Sequence, residues 1–397
     1  MSHQSYDVIV VGAGPAGSYL AYELASSGHD VAVFEERSAP GLNACCTGII
    51  STECFRSLDP GTEVILTGAK SARFFSPSGR CLRLDTEKDQ AYVVDRLLLD
   101  KAMASKAQSR GARYFLASRV VDIIPGRDGI LAEVVCSGAR EVFSARAVVL
   151  ANGLRPRLSR KLGLGTIKSF LVGAQTEVEV KDADEPEVYF GQGMAQGSFA
   201  WLVPASANRA YAGLLAGSGA KLQLQKFLDN LFRQGRISCR DAEIRQKPVP
   251  VGMAPRSYGD RILVVGDAAG QVKPTTGGGI YFGHLGARIA AQVLDQALDS
   301  DDLTAGRLSR YQKLWRARMG KELSRGHWAR RAYARLSDRQ IEGIFSILAS
   351  GNMTETLLNS GRFSFDWHSW LILAVLRHTC AHPVRKIKHL LSCEAGS

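Results

Sequence analysis

The sequence predicts a mixed α/β (α+β) protein in three parts: a Rossmann-like nucleotide-binding sheet, an inserted antiparallel sheet and a helical C-terminal region. Three observations predict it. A glycine fingerprint stands directly between a β-branched run and a run of helix formers near the N-terminus. From Phe170 the texture changes to short strand-like segments, and Pro383 is the one strong breaker in a final stretch that otherwise reads as helices. The 397 residues suffice for two or three domains with real cores. A content of 45% hydrophobic and 22% charged residues excludes a disordered or collagen-like chain.

Val8–Val11 is a continuous β-branched run, as expected of a parallel strand covered on both faces. Ser18–Ser27 carries helix formers and ends at Gly28, a C-cap, before a second strand at Val31–Phe34. Residues 61–91 read as short strands with turn chemistry at Ser76–Gly79, and Leu97–Arg110 as a helix closed by Gly111. Two more short strands follow, then the buried run Ala147–Leu150, ending at Asn152–Gly153. Phe170–Val180, Glu187–Phe190, Phe199–Val203 and Tyr211–Leu215 read as an antiparallel sheet with a helix near Leu222–Arg233. Ile262–Val265 returns to the buried-strand pattern, and its glycine-rich sequel opens a helix through Leu298. The expected domains are therefore a discontinuous nucleotide-binding domain (1–60, 92–165 and 254–298), a sheet domain (61–91 and 166–253) and a helical region (299–397).

Lys plus Arg exceed Asp plus Glu by 50 to 38, a net charge of +12, and residues 301–397 hold 16 basic against 8 acidic side chains. Such an excess can mean nucleic acid, anionic lipid or simple solubility, and with no nucleic-acid module present lipid leads nucleic acid. The stretch Arg307–Arg339 has 11 Lys/Arg with Tyr311, Leu314, Trp315, Met319 and Leu323 at helical spacing. It reads either as a solvated helix face or as a lipid-docking face, the latter supported by Trp370–Leu376 and Arg385–Lys388. No uncharged apolar run reaches the roughly 18 residues of a spanning helix, and the N-terminal run lacks the basic flank of a signal peptide. Eight cysteines show no C-x-x-C pair, and adjacent Cys45 and Cys46 are poorly placed to bridge each other. The expectation is a reduced, cytoplasmic protein that at most touches the inner face of a membrane. His378 and His382 have the spacing of a helical metal pair, but no third ligand is evident and no metal is expected.

Gly12-Ala13-Gly14-Pro15-Ala16-Gly17 is G-x-G-x-x-G at a strand-to-helix turn. Gly12 permits the turn, Gly14 lets the backbone approach a pyrophosphate, and Gly17 lets the helix pack on the strand, while the helix N-terminus offers N–H groups. Glu35 lies 18 residues beyond Gly17, at the end of the second strand, where its carboxylate can accept ribose hydroxyls. In Ile262–Gly270 a strand ends in Gly266-Asp267, whose carboxylate can hold a ribityl hydroxyl. Twelve residues later Gly279–Ile280 opens a helix whose positive end suits the charge of a reduced flavin. Together the two segments point to FAD rather than NAD, and the absence of a second fingerprint leaves any nicotinamide donor to bind transiently.

These motifs resemble the geranylgeranyl reductase family of flavoproteins, which share the fold of p-hydroxybenzoate hydroxylase. The similarity runs over about residues 6–390 and is strongest at Gly12–Gly17, Ala44–Ile50, Asp95–Asp100, Trp201–Pro204 and Gly266–Ile280. It implies that Gly12, Gly14, Ala16, Gly17, Glu35, Asp267, Gly279 and Ile280 hold FAD. Cys45, Cys46 and Gly48 fall in the family's cysteine–glycine segment beside the flavin, where a thiol, Cys45 favoured, would position the ring or relay a proton; the other reading of either cysteine is a small apolar packing residue. Arg96 takes the family's strand-to-helix arginine, able to bind a pyrophosphate bidentately, and Val120 its backbone contact to adenine. Trp201, Pro204 and Tyr211 would line the substrate path or be ordinary sheet core, and alternation would put Trp201 and Val203 on one face and Ala200 and Leu202 on the other. Tyr211, Tyr281 and His284 are candidate proton donors. Two departures stand out: Asn43-Ala44-Cys45-Cys46-Thr47-Gly48 lacks the usual proline, and Asn152-Gly153 replaces Asp-Gly.

The activity so implied is FAD-dependent saturation of carbon–carbon double bonds in a geranylgeranyl or polyprenyl chain of a lipid or quinone. NADPH or a ferredoxin-like protein would supply electrons. An isolated alkene is a poor hydride acceptor, so placement and dry surroundings must carry much of the catalysis. The alternatives are a flavin-dependent monooxygenase or halogenase of the same fold, which Trp201–Pro204 partly resembles, a non-redox isomerase or cyclase, and a lipid-binding module.

Overall fold

The computed structural model describes residues 4–181, 183–349 and 364–374. His378, His382, Pro383, Arg385–Lys388 and the last two residues of Trp370–Leu376 lie outside them. The chain divides into two compact units, residues 1–65, 94–170 and 248–323 in one and residues 66–93, 171–247 and 324–397 in the other.

The first unit is built on β1 (Ser5–Val11), α1 (Pro15–Ser26) and β2 (Val31–Phe34). β1 lies parallel between β2 and strand Ala139–Leu150, which in turn pairs in parallel with Ile262–Val264. Val8, Ile9, Val10 and all of β2 are buried, as a run without polar alternation requires in a doubly covered sheet. Arg113–Phe115 extends the sheet beyond β2. Phe115 stacks on Phe34 with ring centroids 4.7 Å apart, and Phe143 packs at 4.8 Å from Phe34, closing one side of the core. Helix Ile280–Asp299 packs along α1 on the other.

Where two short strands were expected there are three, Arg113–Phe115, Ser118–Pro125 and Ile130–Cys136. Ala139–Leu150 begins eight residues before the buried run that signals it. The reason is its partner: the first half pairs antiparallel with Ile130–Cys136 and starts with three exposed residues, pairing with β1 begins at Ser144, and only the last four residues are buried without interruption.

Helix Ala305–Trp315 continues through a π-helical turn, Arg316–Gly320, into helix Lys321–Tyr333. The stripe Tyr311, Trp315, Met319 and Leu323 is buried, and only Leu314 of the apolar set is exposed. The Tyr311 hydroxyl donates to Val264 O at 2.9 Å and accepts from Gln271 Nε2 at 2.8 Å, and Trp315 Nε1 donates to Ser257 Oγ at 2.9 Å. The lipid-docking reading of this stripe is thus corrected: its aromatics are core. Successive spacings of four exceed the 3.6-residue period, and the wider π turn keeps Trp315, Met319 and Leu323 on one face. No helix among the described residues is long and apolar enough to cross a membrane.

The second unit carries a seven-stranded sheet in the order Arg245–Pro250, Phe170–Glu179, Arg209–Ala216, Phe199–Ser206, Glu187–Phe190, Ser71–Phe75, Cys81–Asp85. Ala200, Leu202, Ala210, Ala212 and Leu214 form one face with Leu224, Phe227, Leu228 and Leu231 of helix Ala220–Arg233. Burying Phe227 alone contributes about 2–3 kcal/mol. Glu185 and Glu187, both buried, are held by Arg73, Arg83 and Arg236, so the interior carboxylates have partners.

Candidate active site

The glycine fingerprint is fixed by two kinds of constraint. Gly12 has φ +106°, and a Cβ there would stand 2.7 Å from Ala151 O. A Cβ on Gly17 would stand 2.1 Å from Gly12 O, so the protein's own backbone demands both glycines. Gly14 differs. A Cβ on it would meet nothing within 4 Å, so the space beside it is open. Gly14 caps α1 without a side-chain hydrogen bond, Pro15 occupies the first turn, and no acidic residue shares that turn. Backbone donors and open space therefore coincide, as an anion cradle requires.

Glu35 follows β2, and its carboxylate accepts from Ala13 N at 2.9 Å and Arg37 N at 3.0 Å, tying the strand end to the glycine loop. Asn152 stands at the end of the neighbouring strand, its Cα 3.2 Å from the position of a Cβ on Gly12. Its Oδ1 is buried with no partner. Val120 is buried in strand Ser118–Pro125, paired with Val134.

The second segment meets the first. A Cβ on Gly266 (φ +65°) would lie 3.2 Å from Ala16 Cβ, and one on Gly283 would lie 3.5 Å from it. Small residues thus let the start of α1 nest against the turn after Ile262–Val264. A Cβ on Gly279 would stand 2.7 Å from Asp267 Oδ1, so the strand-end carboxylate lies beside the residue that opens helix Ile280–Asp299.

Loop 41–48 is pinned at one end against helix Arg96–Gln108 and at the other against the strand before it, Ala91–Val94. At Gly41 a Cβ would stand 2.6 Å from Arg96 O, and at Gly48 2.2 Å from Val94 O. Val94 N donates to Gly48 O at 3.0 Å, and Asp95 caps the helix by accepting from Leu97 N and Leu98 N. This brings Cys46 to the Arg96 guanidinium, which hydrogen-bonds it and also holds both oxygens of Asp100 at 3.0 Å. Burial opposes the charge on Arg96, but the Asp100 carboxylate and Cys46 outweigh it and raise the guanidinium further above its usual range. Cys45 and Cys46 are both partly buried.

Of the candidate proton donors on helix Ile280–Asp299, Tyr281 donates to Glu53 Oε1 at 2.5 Å, and His284 Nε2 lies 2.6 Å from Ser57 Oγ. His284 is fully buried against Tyr19, ring centroids 4.1 Å apart, and its Nδ1 has no partner. Burial, with a smaller push from Arg288, lowers the imidazole to about 4 and holds it neutral. Glu53 and Ser57 escaped sequence reasoning. Their i, i+4 spacing on helix Thr52–Leu58 puts them on one face, yet nothing in the sequence links that face to residues more than two hundred positions away. Asp100 was likewise missed as the partner of Arg96, although it sits one turn along the same helix.

In the second unit Trp201 pairs with Gly213 and Val203 with Tyr211, so these side chains share the face opposite Ala200 and Leu202. The Trp201 ring lies over Gly213, where a Cβ would stand 2.4 Å from Cζ2, and its Nε1 is buried with no partner. Pro204 pairs with Ala210 and falls on the other face, apart from Trp201 and Tyr211.

Open backbone at Gly14, an orphaned buried oxygen at Asn152 and a carboxylate beside Gly279 suit a dinucleotide with a ribityl chain, and the residues fit FAD. The FAD binding domain family matches residues 5–312, and the fold with this cradle defines an FAD-dependent oxidoreductase. The chain is 33% identical over 356 residues to digeranylgeranylglycerophospholipid reductase 1 of Methanothermobacter thermautotrophicus, covering 85% of this chain and 89% of that one. It is 31% identical over 359 residues to the digeranylgeranylglycerophospholipid reductase of Methanocaldococcus jannaschii, covering 86% and 90%. Among solved structures, a geranylgeranyl bacteriochlorophyll reductase-like protein from Thermoplasma acidophilum superposes with a TM-score of 0.85 at 24% identity, covering 98% of this chain and all of that one. The flavin-dependent brominase Bmp2 gives 0.70 at 17%, covering 96% and all of its chain, a likeness of fold. The chain belongs to the geranylgeranyl reductase family of flavoproteins.

Proposed function

We propose that the protein reduces carbon–carbon double bonds in the isoprenoid chains of a prenyl lipid. One observation carries the reading: identity of 31–33% over most of the chain to reductases named for digeranylgeranylglycerophospholipid. A lipid or quinone with a prenyl chain is the substrate class.

FAD, when bound, supplies the two-electron chemistry at its ring. Gly12, Gly14, Ala16 and Gly17 form the pyrophosphate cradle, with Glu35 and Val120 on the adenosine side. Asp267, Gly279 and Ile280 face the ribityl chain and ring. Gly48 shapes the loop that carries Cys45 and Cys46, and Arg96 orients that loop through Cys46 as well as offering a cation to the pyrophosphate. The Arg96 contact shifts the weight from Cys45 toward Cys46 as the thiol that matters. His284 is neutral at physiological pH and serves packing rather than proton delivery. In the second unit Trp201 and Tyr211 share the face that suits an apolar chain, with Pro204 shaping the strand from behind.

NADPH or a ferredoxin-like protein is the proposed transient electron donor, because the sequence carries one dinucleotide fingerprint only. A peripheral membrane contact at the inner face is proposed through the basic C-terminal region, supported by exposed Leu314 and Trp328. Lipid mass spectrometry of cells with and without this protein tests the function. Loss of the protein should leave prenyl lipids with more double bonds, and an unchanged lipid profile would overturn the reading.

A further inference from the structure

Arg330 stands out among the cations of the second unit. It lies in the last turn of helix Lys321–Tyr333, partly buried, and among the described residues no carboxylate pairs with it. Among those residues its hydrogen bonding is a single long contact, from Nη1 to Ser198 Oγ at 3.4 Å. A guanidinium has five N–H donors, and taking it out of water without an anion is costly. Burial accordingly pushes Arg330 below its usual range, with Tyr333 the one group acting the other way.

The surroundings are held in place. Ser198 is fully buried, and its carbonyl accepts from the Tyr333 hydroxyl at 3.1 Å. Gln192 N donates to Asp338 Oδ1 at 2.7 Å and Gln192 Nε2 to Leu336 O at 2.6 Å, fixing loop 191–198 against the helix end. From this point an aromatic row leads away: Tyr333 to Phe190 at 6.0 Å, Phe190 to Phe199 at 6.2 Å, Phe199 to Trp201 at 5.9 Å. Trp201 Nε1, at the far end, is a buried donor without a partner among the described residues.

We propose that Arg330 is the anchor for a phosphate headgroup, with the prenyl chain of the same molecule lying along Phe199 and Trp201. The inference rests on the prenyl-lipid reading and adds to it the chemistry of the head. A planar guanidinium matches phosphate oxygens in pairs, and the aromatic row matches an apolar chain. A phosphate also supplies the counter-charge that no described carboxylate gives Arg330.

The test is equilibrium binding to the full-length, FAD-loaded protein of digeranylgeranylglycerol with and without its phosphate, in neutral detergent, read without turnover. The wild type should bind the phosphorylated lipid about tenfold more tightly, the scale of one charge-assisted pair. Arg330→Gln should erase that preference and leave the uncharged lipid unaffected, while Arg330→Lys should keep much of it. The glutamine variant should melt no lower than wild type, because it removes a partly buried charge that no described carboxylate pairs. A retained preference in Arg330→Gln, equal weakening of both lipids, or a lowered melting temperature would each overturn the assignment. So would inorganic phosphate binding through Arg330 as tightly as the lipid, which would mark a free-phosphate site. A wild type that binds phosphorylated lipid through Arg330 yet reduces nothing would sink the reductase reading and leave the headgroup site standing.

Discussion

Replacing His284 by Gln should flatten the acid side of the protein's stability curve. The imidazole is fully buried, and burial with Arg288 lowers it to about 4 from an ordinary 6.5. The folded-state value is depressed, so between those two values the unfolded chain binds the proton more readily than the folded one. Stability therefore rises with pH through that window and is lost as pH falls through it. Between pH 7 and pH 5 the difference amounts to about 2 kcal/mol for this one group, and its limiting value below pH 4 to about 3 kcal/mol. Urea unfolding of wild type and His284→Gln at pH 7 and pH 5 isolates it. Glutamine can keep the Ser57 hydrogen bond without a titrating group, so the variant's loss over that interval should be smaller by about 2 kcal/mol. Identical losses in the two proteins would refute the neutral, desolvated histidine.

Gly14→Val should leave the fold intact and abolish FAD binding, since its side chain would enter the open space beside the fingerprint. Gly17→Val should instead unfold the first unit, because a Cβ there meets Gly12 O at 2.1 Å. Circular dichroism with flavin absorbance separates the two, and retained yellow colour in Gly14→Val would contradict the cradle. Asp267→Ala should weaken FAD by about tenfold without lowering the melting temperature, the scale of one charge-assisted hydrogen bond, and unchanged affinity in a flavin titration would remove it from the ribityl role. Cys46→Ala should slow alkene reduction more than Cys45→Ala while FAD stays bound, and full activity of both would return the pair to packing.

Much of the fold was legible because strands covered on both faces cannot hide. Val31–Phe34 is bounded in the sequence just as in the structure, and Gly12 and Gly17 are fixed by backbone contacts that a Cβ would not tolerate. Ala139–Leu150 was half legible, because its first half is mostly exposed or partly buried in an antiparallel pairing and lacks the continuous apolar run of its end. The basic helices left a solvated face and a lipid-docking face both open, for a related reason. Tyr311, Trp315 and Met319 at spacings of four fit a lipid-facing stripe as well as a core stripe, and only the partners Val264, Gln271 and Ser257 decide. The site was legible where backbone geometry demands a residue type, as at Gly12, Gly48 and Gly266. It was illegible where one side chain meets another across the sequence, as Cys46 meets Arg96, Tyr281 meets Glu53 and Arg330 meets Ser198.

A single anaerobic turnover addresses the main claim most directly. Chemically reduced, FAD-loaded protein is mixed with digeranylgeranylglycerophospholipid in the absence of oxygen, and the flavin spectrum and the lipid mass are followed together. The flavin should return to its yellow oxidised form as the lipid gains two hydrogens per bond reduced. A spectrum that stays bleached beside an unaltered lipid, or a lipid rearranged at constant mass, would contradict it.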